Sequence, residues 1–440
     1  MALRTPEVGS SAPEKLRIRE HEARGLVLAE LHARPFLPLK IPRRVYHFAY
    51  VTNDAEADAD RRAIAALASP DSSVPALDDV RFQLLHFNGW ELRWEQHTEF
   101  VTHTWSTSDG AANPFAHPDP RSTQEINFRA PGKLVVAVHL ALNESNQTTE
   151  DLAAGFDAQS LCVIGAAESK ARVLTDFKTD PYDFTRLLIA ANGLDETAAG
   201  RLAQRVLELE TYRTMALLGL PEARRAGPEL GRMEQEITDI AQALSHSSAK
   251  RMSEELLQRL SDLLAQSVAL SARTGFRFGA SRAYHGVVKD RLDLIGESKE
   301  NGYVTITQFF RGRLDPAIET CNAVETRQAR LSEQVARTAD LLRAGIQLEV
   351  EQQNRDLLKD MNRRAQLQLR LQRTVQGLSI AALSYYLRGL VVYLAHGAED
   401  AGLLPKGVTA GIIAAAALPF VVFVAWLFME RVRRTSLKAN

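Results

Sequence analysis

TVQGLSIAALSYYLRGLVVYLA (residues 374–395) and VTAGIIAAAALPFVVFVAWLFM (residues 408–429) lie a short loop apart near the end of the chain. A helix needs about 20 mostly apolar residues to cross the hydrocarbon core of a bilayer. The second run carries no charge, and the first carries one, Arg388, near its middle. A buried core helix is the alternative for either run alone. Two such runs joined by a short loop instead make a natural membrane hairpin, with the lipid bilayer as partner. Pro419 sits midway in the second run, where a kink is tolerated if neighbours satisfy the freed carbonyl. Tyr385, Tyr386, Tyr393 and Trp426 are candidates for the interfaces or for packing between helices.

Flanking charge sets a direction. Arg363, Arg364, Arg370 and Arg373 precede the first span, and Arg431, Arg433, Arg434 and Lys438 follow the second. The loop, HGAEDAGLLPKG, holds Lys406 against Glu399 and Asp400. An excess of Lys and Arg marks the cytoplasmic side. The expectation is therefore that both termini are cytoplasmic and that loop 396–407 lies outside. The N-terminus, MALRTPEVGSSAPEKLRIREHE, lacks the apolar core of a signal peptide.

Working back from the first span, no proline occurs between Pro316 and Pro405, and Ala, Leu, Gln, Glu and Arg dominate. These are good helix formers. Val335 to Leu342 and Val350 to Leu357 repeat at a seven-residue interval. The pattern predicts one nearly continuous stalk helix from about Ala317 into the first span, roughly 120 Å at 1.5 Å per residue. A polar helix of that length needs partners. They are either the preceding helices, in RLAQRVLELETYRTMALLGL and from about Gly231 to Arg273, or further copies of the stalk in a homo-oligomer.

From about Val45 to Ala191 the pattern turns to alternating or apolar runs: VYHFAYV, RFQLLHF, GWELRWEQHTEFVTHTW, KLVVAVHLAL, LCVIGAA, ARVLTDF and FTRLLIA, with DAEADADRRAIAALA as an intervening helix. The expected architecture is an α+β cytoplasmic domain with a mixed sheet, followed by a helical bundle, a long stalk helix and a two-helix transmembrane hairpin. Its segments are residues 1–44 (N-terminal), 45–191 (α/β), 192–315 (helical), 316–373 (stalk), 374–395 and 408–429 (spans) and 430–440 (basic tail).

Within the sheet, Trp90 to Phe100 is the most patterned stretch. Trp90, Leu92, Trp94 and Phe100 are read on one face, and Glu91, Arg93, Glu95, His97 and Glu99 on the other. On one strand His97 and Glu99 stand about 6.6 Å apart and could share a divalent cation, while His103 falls about 20 Å away. The simpler reading is a solvated face of alternating charge. His139 in VVAVHLAL reads as a satisfied core histidine. TDFKTDP (175–181) reads as a polar turn, and His32, Arg34 and Pro35 in ELHARPF as a helix end or an acid-binding turn.

The formal net charge is −1, so no global basic field marks a nucleic-acid partner. Two cysteines, Cys162 and Cys321, are not a disulfide framework and fit a reducing compartment. The chain contains no GxxxxGK[ST], GxSxG, HExxH or GxGxxG pattern. No enzyme class and no cofactor is implied.

ELHARPF, WEQHTEF, GKLVVAVHLAL, LELETYRTMALLGLPEA, FRFGASRAY, MNRRAQLQLRLQRTVQGLSIAALSYYL and the final span resemble a bacterial family of uncharacterised membrane-anchored proteins, a domain of unknown function. The resemblance covers about residues 20–435 and implies an inner-membrane location and little chemistry. It departs from the family pattern at Arg388, where an apolar residue is usual. The arrangement also resembles, in architecture, the CorA-type magnesium transporters. The Gly-Met-Asn motif of those proteins is missing here, where the chain reads Tyr393, Leu394, Ala395, His396, Gly397.

Two functions follow. As a membrane-anchored binding or scaffold protein, the chain uses the hairpin only as a tether. As an oligomeric ion channel or transporter, its first span lines a pore. Ser379, Leu383, Tyr386, Leu390 and Tyr393 fall within about 80° on one helical face, and Glu399 and Asp400 stand at the outer mouth.

Overall fold

The structure, a computed structural model, describes residues 21–22, 24, 36–67, 81–87, 89–108, 113–115, 132–246, 250–405 and 407–436. His32, Arg34, Pro35, Lys406 and Lys438 lie outside the described residues. The chain divides into two compact units, residues 1–247 with 255–338, and residues 248–254 with 339–440.

The first unit is built on a nine-stranded mixed sheet. Its strands are β1 (Arg43–Val51), β2 (Phe82–Phe87), β3 (Trp90–Gln96), β4 (Phe100–Thr107), β5 (Lys133–Glu144), β6 (Cys162–Ala166), β7 (Ala171–Thr175), β8 (Thr185–Ala191) and β9 (Ser298–Lys299), in the order β2-β3-β4-β1-β5-β8-β7-β6-β9. The β5–β8 pair is parallel and the other strand pairs are antiparallel. The helices are α1 (Asp54–Leu67), α2 (Thr149–Ala153), α3 (Glu196–Leu217), α4 (Gly219–His246), α5 (Lys250–Ile295), α6 (Ile306–Asp400) and α7 (Ala410–Ser436).

Alternation along the strands sends each side chain set to a different layer. Val45, Ala49, Phe100, Val138, Leu140 and Leu142 face α3, where Ala199, Leu202, Val206 and Leu209 complete the core together with Phe310, Leu314 and Ile318 of α6. The opposite face is closed by α1, whose Ala57 and Ile64 pack with Tyr46, Leu85, Trp90, Leu92, Trp94 and Trp105. Asp195 caps α3, its carboxylate accepting from Ala198 N at 2.8 Å.

Two sequence expectations change. The stretch from Trp90 to Trp105 is a hairpin rather than one strand. His97–Glu99 form its turn, and His97 N donates to Phe100 O at 2.8 Å. Pairing sets Trp94 opposite His103 and Gln96 opposite Val101, so Phe100 lands on the face of Arg93, not that of Trp94. The turn contains neither Gly nor Pro, so no breaker marks it. The long helix begins at Ile306, before the expected Ala317, with Pro316 inside it. Ile306, Phe310, Leu314, Ile318, Cys321, Val324, Leu331 and Val335 are buried, at the three- and four-residue spacing of one helix face. The upstream part of α6 packs on earlier helices of its own chain. Ser332 bonds Ser267 at 2.8 Å, Gln328 Nε2 donates to Thr274 at 3.0 Å, and Arg327 pairs with Glu234.

Among the described residues, two helices are long and apolar enough to cross a membrane, one within α6 and one within α7. Ala395 on α6 and Ala410, Ala414, Val421 and Ala425 on α7 are buried. The pattern is that of an antiparallel pair packed through small residues. The turn closes in a Schellman arrangement, with Leu403 N on Ala398 O (3.1 Å), Gly402 N on Glu399 O (3.1 Å) and Gly402 at φ +66°.

Candidate functional site

The face of the sheet beneath α3 carries a buried polar layer. Cross-strand register sets Glu91, Ser106 and Val45 in one row, and Arg93, Thr104 and His47 in the next. The charged face expected to be solvated is therefore covered, leaving Arg93 and Glu95 only 9% and 8% exposed. Helix α3 supplies the partners that make this burial tolerable. Arg93 Nη1 donates to Gln204 Oε1 and Nη2 to Glu95 Oε1, both at 2.8 Å. Gln204 Nε2 donates in turn to Glu208 Oε1 at 2.7 Å, and Glu208 also accepts from Arg291 of α5.

His47 lies at the centre of the layer. Its Nδ1 is 2.8 Å from Thr104 Oγ1 and its Nε2 is 2.9 Å from Thr211 Oγ1. Thr211 gives its own proton to Leu207 O at 2.9 Å. Thr211 Oγ1 must then accept from His47 Nε2–H, which leaves Nδ1 to accept from Thr104. Burial first, then the positive charge of Arg93 and the neighbouring His103, drives the His47 pKa down to about 3. The ring is neutral with a fixed tautomer.

A pocket opens beside this layer. Leu37, Leu39, Val45, Ala203 and Leu207 form its apolar walls, and Glu91, Arg93, Glu95 and Ser106 are among its polar groups. Its cavity of about 60 Å³ has room for roughly two water molecules. Residues 37–39 cross α3 closely, and Leu39 N donates to Glu196 O at 2.8 Å. Gly200 permits that crossing, because a Cβ there would lie 1.9 Å from Leu37 O. Arg93 Nε is buried with no hydrogen-bond partner among the described residues.

On the other face, Asp60 of α1 is fully buried. Its Oδ2 accepts from Trp94 Nε1 at 2.7 Å and from His103 Nε2 at 2.9 Å. Sequence reasoning missed this cluster because its members are 34 and 43 positions apart. One signal was available: Asp60 shares a helix face with Ala57 and Ile64, where an acid is out of place. Burial, followed by the Asp60 charge, pushes the Tyr50 hydroxyl up to about 12.

His97 and Glu99 serve a different arrangement from the expected cation site. The Glu99 carboxylate accepts from Arg277 Nη2 at 2.5 and 2.7 Å. The His97 ring stacks on Phe100 at 4.1 Å, and Tyr212 stacks on Tyr284 at 5.6 Å. Burial and the bond to Glu99 raise the Tyr284 pKa. The hairpin tip is thus clamped to α3 and α5. Among the described residues no group of three or more His, Cys, Asp or Glu is placed to hold a metal. His139 is fully buried and stacks on Tyr46 at 4.4 Å. The 175–181 stretch is more than a polar turn. Asp176 is 2% exposed and accepts from Asp157 N and Lys178 N, while Phe177, at φ +53°, stacks on Phe309. Cys162 and Cys321 are buried free thiols, and burial pushes Cys162 up to about 12.

On the apolar part of α6, Tyr386 and Tyr393 are 73% and 85% exposed. With Ser379 they fall on the side of α6 away from its partly buried face, which runs through Ile380, Ser384, Leu387 and Val391. Arg388 is exposed at the flank of that face. Glu399 caps α7, its Oε2 accepting from Ala410 N at 3.0 Å, and Asp400 is the exposed last residue of α6.

No curated protein matches the chain. A family model matches residues 19–436, nearly the whole length over which the sheet, the helices and the apolar pair are laid out, and the chain belongs to the DUF3422 family of proteins of unknown function.

Proposed function

We propose that this chain is a membrane-anchored binding or scaffold protein, with its sheet domain on the cytoplasmic side and its C-terminal hairpin as the tether. The observation that carries the reading is the exposure of the apolar pair. Leu378, Tyr393, Phe420 and Phe428 are 74%, 85%, 68% and 62% exposed, an apolar surface far beyond what a water-soluble protein leaves open. Hydrocarbon is the solvent that suits it. The pocket beneath α3 supports the binding half of the reading. It combines apolar walls with convergent polar groups, on a scale that suits an occupant of about two or three heavy atoms.

Alkaline carbonate extraction tests the tether. The full chain is expected to stay with the membrane pellet, and release into the supernatant would remove the reading. Ala203→Leu, which fills the pocket, tests the ligand site. A panel of very small ligands, such as ammonium, methylamine and formate, that raises the Tm of the parent chain but not of the variant would locate binding there. No shift in either chain would leave a scaffold. Light scattering on the detergent-solubilised protein separates tether from pore. A monomer or dimer is expected, and four or more copies would favour a pore lined by the Ser379, Tyr386 and Tyr393 face.

A further inference from the structure

We propose that Arg363, Arg364, Arg370 and Arg373 form a collar that gathers anionic phospholipid headgroups around the open end of the hairpin. The inference rests on the tether reading and adds a lipid preference that the reading does not require.

Three observations carry it. From Met361 to Ala398, α6 contains five arginines, these four and Arg388, and no acidic residue. Four cations further up the same helix have protein partners, while Arg330 and Arg355 have none among the described residues. Arg327 pairs with Glu234, Arg337 with Glu333, Arg343 with Asp340 and Lys359 with Asp356. The four collar guanidiniums are exposed and make no ion pair or hydrogen bond to a described residue. Their charge is uncompensated within the described protein.

Their placement fits headgroups. Arg373 adjoins the span that begins at Thr374, and Arg363 stands ten positions earlier, about 15 Å along the axis. The polar region of one leaflet is about 5–8 Å deep, and electrostatic attraction persists for about another 8–10 Å at physiological salt. Arg370 and Arg373 then sit at phosphate depth, and Arg363 and Arg364 within the diffuse layer. Helix α7 returns to the same side, with Arg431, Arg433 and Arg434 in its last turns. A guanidinium presents a planar fork that matches phosphate oxygens in pairs. Each basic residue near a charged leaflet is worth roughly fivefold in local attraction. If these arginines served only to orient insertion, zwitterionic and anionic lipids would be equivalent neighbours.

Trp426 provides the probe. Of the four tryptophans, Trp90, Trp94 and Trp105 lie in the sheet core, and Trp426 lies on α7, five residues before Arg431. The full-length protein is reconstituted in equimolar phosphatidylglycerol and phosphatidylcholine vesicles, with bromine on the chains of one lipid or the other. At low salt, brominated phosphatidylglycerol is expected to quench Trp426 about twofold or more beyond brominated phosphatidylcholine. The excess should vanish in 1 M salt, where the screening length is about 3 Å. It should also shrink in a variant carrying Arg363→Gln, Arg364→Gln, Arg370→Gln and Arg373→Gln, which keeps helix propensity. Equal quenching by the two lipids in the parent chain would overturn the collar while leaving the tether intact. A preference unchanged in the variant or in high salt would also overturn it. Quenching by neither lipid would show that the hairpin is outside the bilayer, and would overturn the tether and the collar together. The salt series uses the unmodified chain, so it stands even if the variant folds poorly.

Discussion

Acidification should destabilise the sheet unit through a single ring. His47 binds a proton with a pKa of about 6.5 when unfolded and about 3 when folded, because burial and Arg93 oppose the charged form. Between these values the unfolded chain holds more protons than the folded one, so stability rises with pH in that window and is lost as pH falls through it. The full difference, about 3.5 units at 1.36 kcal/mol each, amounts to roughly 5 kcal/mol. From pH 6 down to pH 4 the expected loss is roughly 2–3 kcal/mol. His47 is only 5% exposed, so solvent does little to dilute the effect. The assay is guanidinium unfolding of the detergent-solubilised protein, followed by the fluorescence of Trp90, Trp94 and Trp105, all buried in the sheet core. The control is His47→Gln, which keeps a donor and an acceptor but does not titrate in this range. The parent is expected to lose roughly 2–3 kcal/mol more than the control between pH 6 and pH 4. If the two chains lose stability in parallel, His47 is not held neutral by its surroundings and the account of the polar layer fails.

Asp60→Ala strands two buried donors, Trp94 Nε1 and His103 Nε2. At about 1–3 kcal/mol for each stranded donor the variant should lose roughly 2–6 kcal/mol, and a loss below about 1 kcal/mol would show the cluster to be marginal. Gly200→Ala drives a methyl into Leu37 O, at a cost of about 1–3 kcal/mol. Hydrogen exchange at the Leu39 amide, which bonds Glu196 O, should accelerate, and unchanged protection would mean that residues 37–39 do not need the glycine. Arg388→Leu should leave insertion intact, as read by carbonate extraction. Reduced insertion would make Arg388 a structural element of the span.

The sheet was legible wherever the period of two was clean. Alternating or continuous apolar runs marked its long strands, and apolar length marked the two helices long enough to cross a membrane. What escaped were features set by pairing rather than by local pattern. The His97–Glu99 turn has no glycine or proline, so a hairpin read as one strand, and the face assigned to Phe100 came out wrong. Pro316 read as a helix boundary, although the buried positions from Ile306 through Val335 keep one continuous face across it. The two-residue strand β9 is too short to carry a pattern. At the site, Arg93 and Glu95 were identified but placed in solvent, because nothing local announces that Gln204 and Glu208, more than a hundred positions later, will cover them. His47 went unremarked for the same reason.

The core beneath α3 draws on residues from Val45 to Ile318, and this spread has a consequence during synthesis. The last of those positions leaves the ribosome 56 residues ahead of Thr374, where the first span begins. At about 5–20 residues per second the interval is roughly 3–11 seconds. A sheet that closes within that interval covers its apolar face before a strongly hydrophobic segment emerges behind it. A mutation that slowed closure of this core would therefore lengthen the time during which two unburied apolar surfaces coexist on one growing chain, and its signature would be aggregation of new protein with little change in the stability of protein already folded.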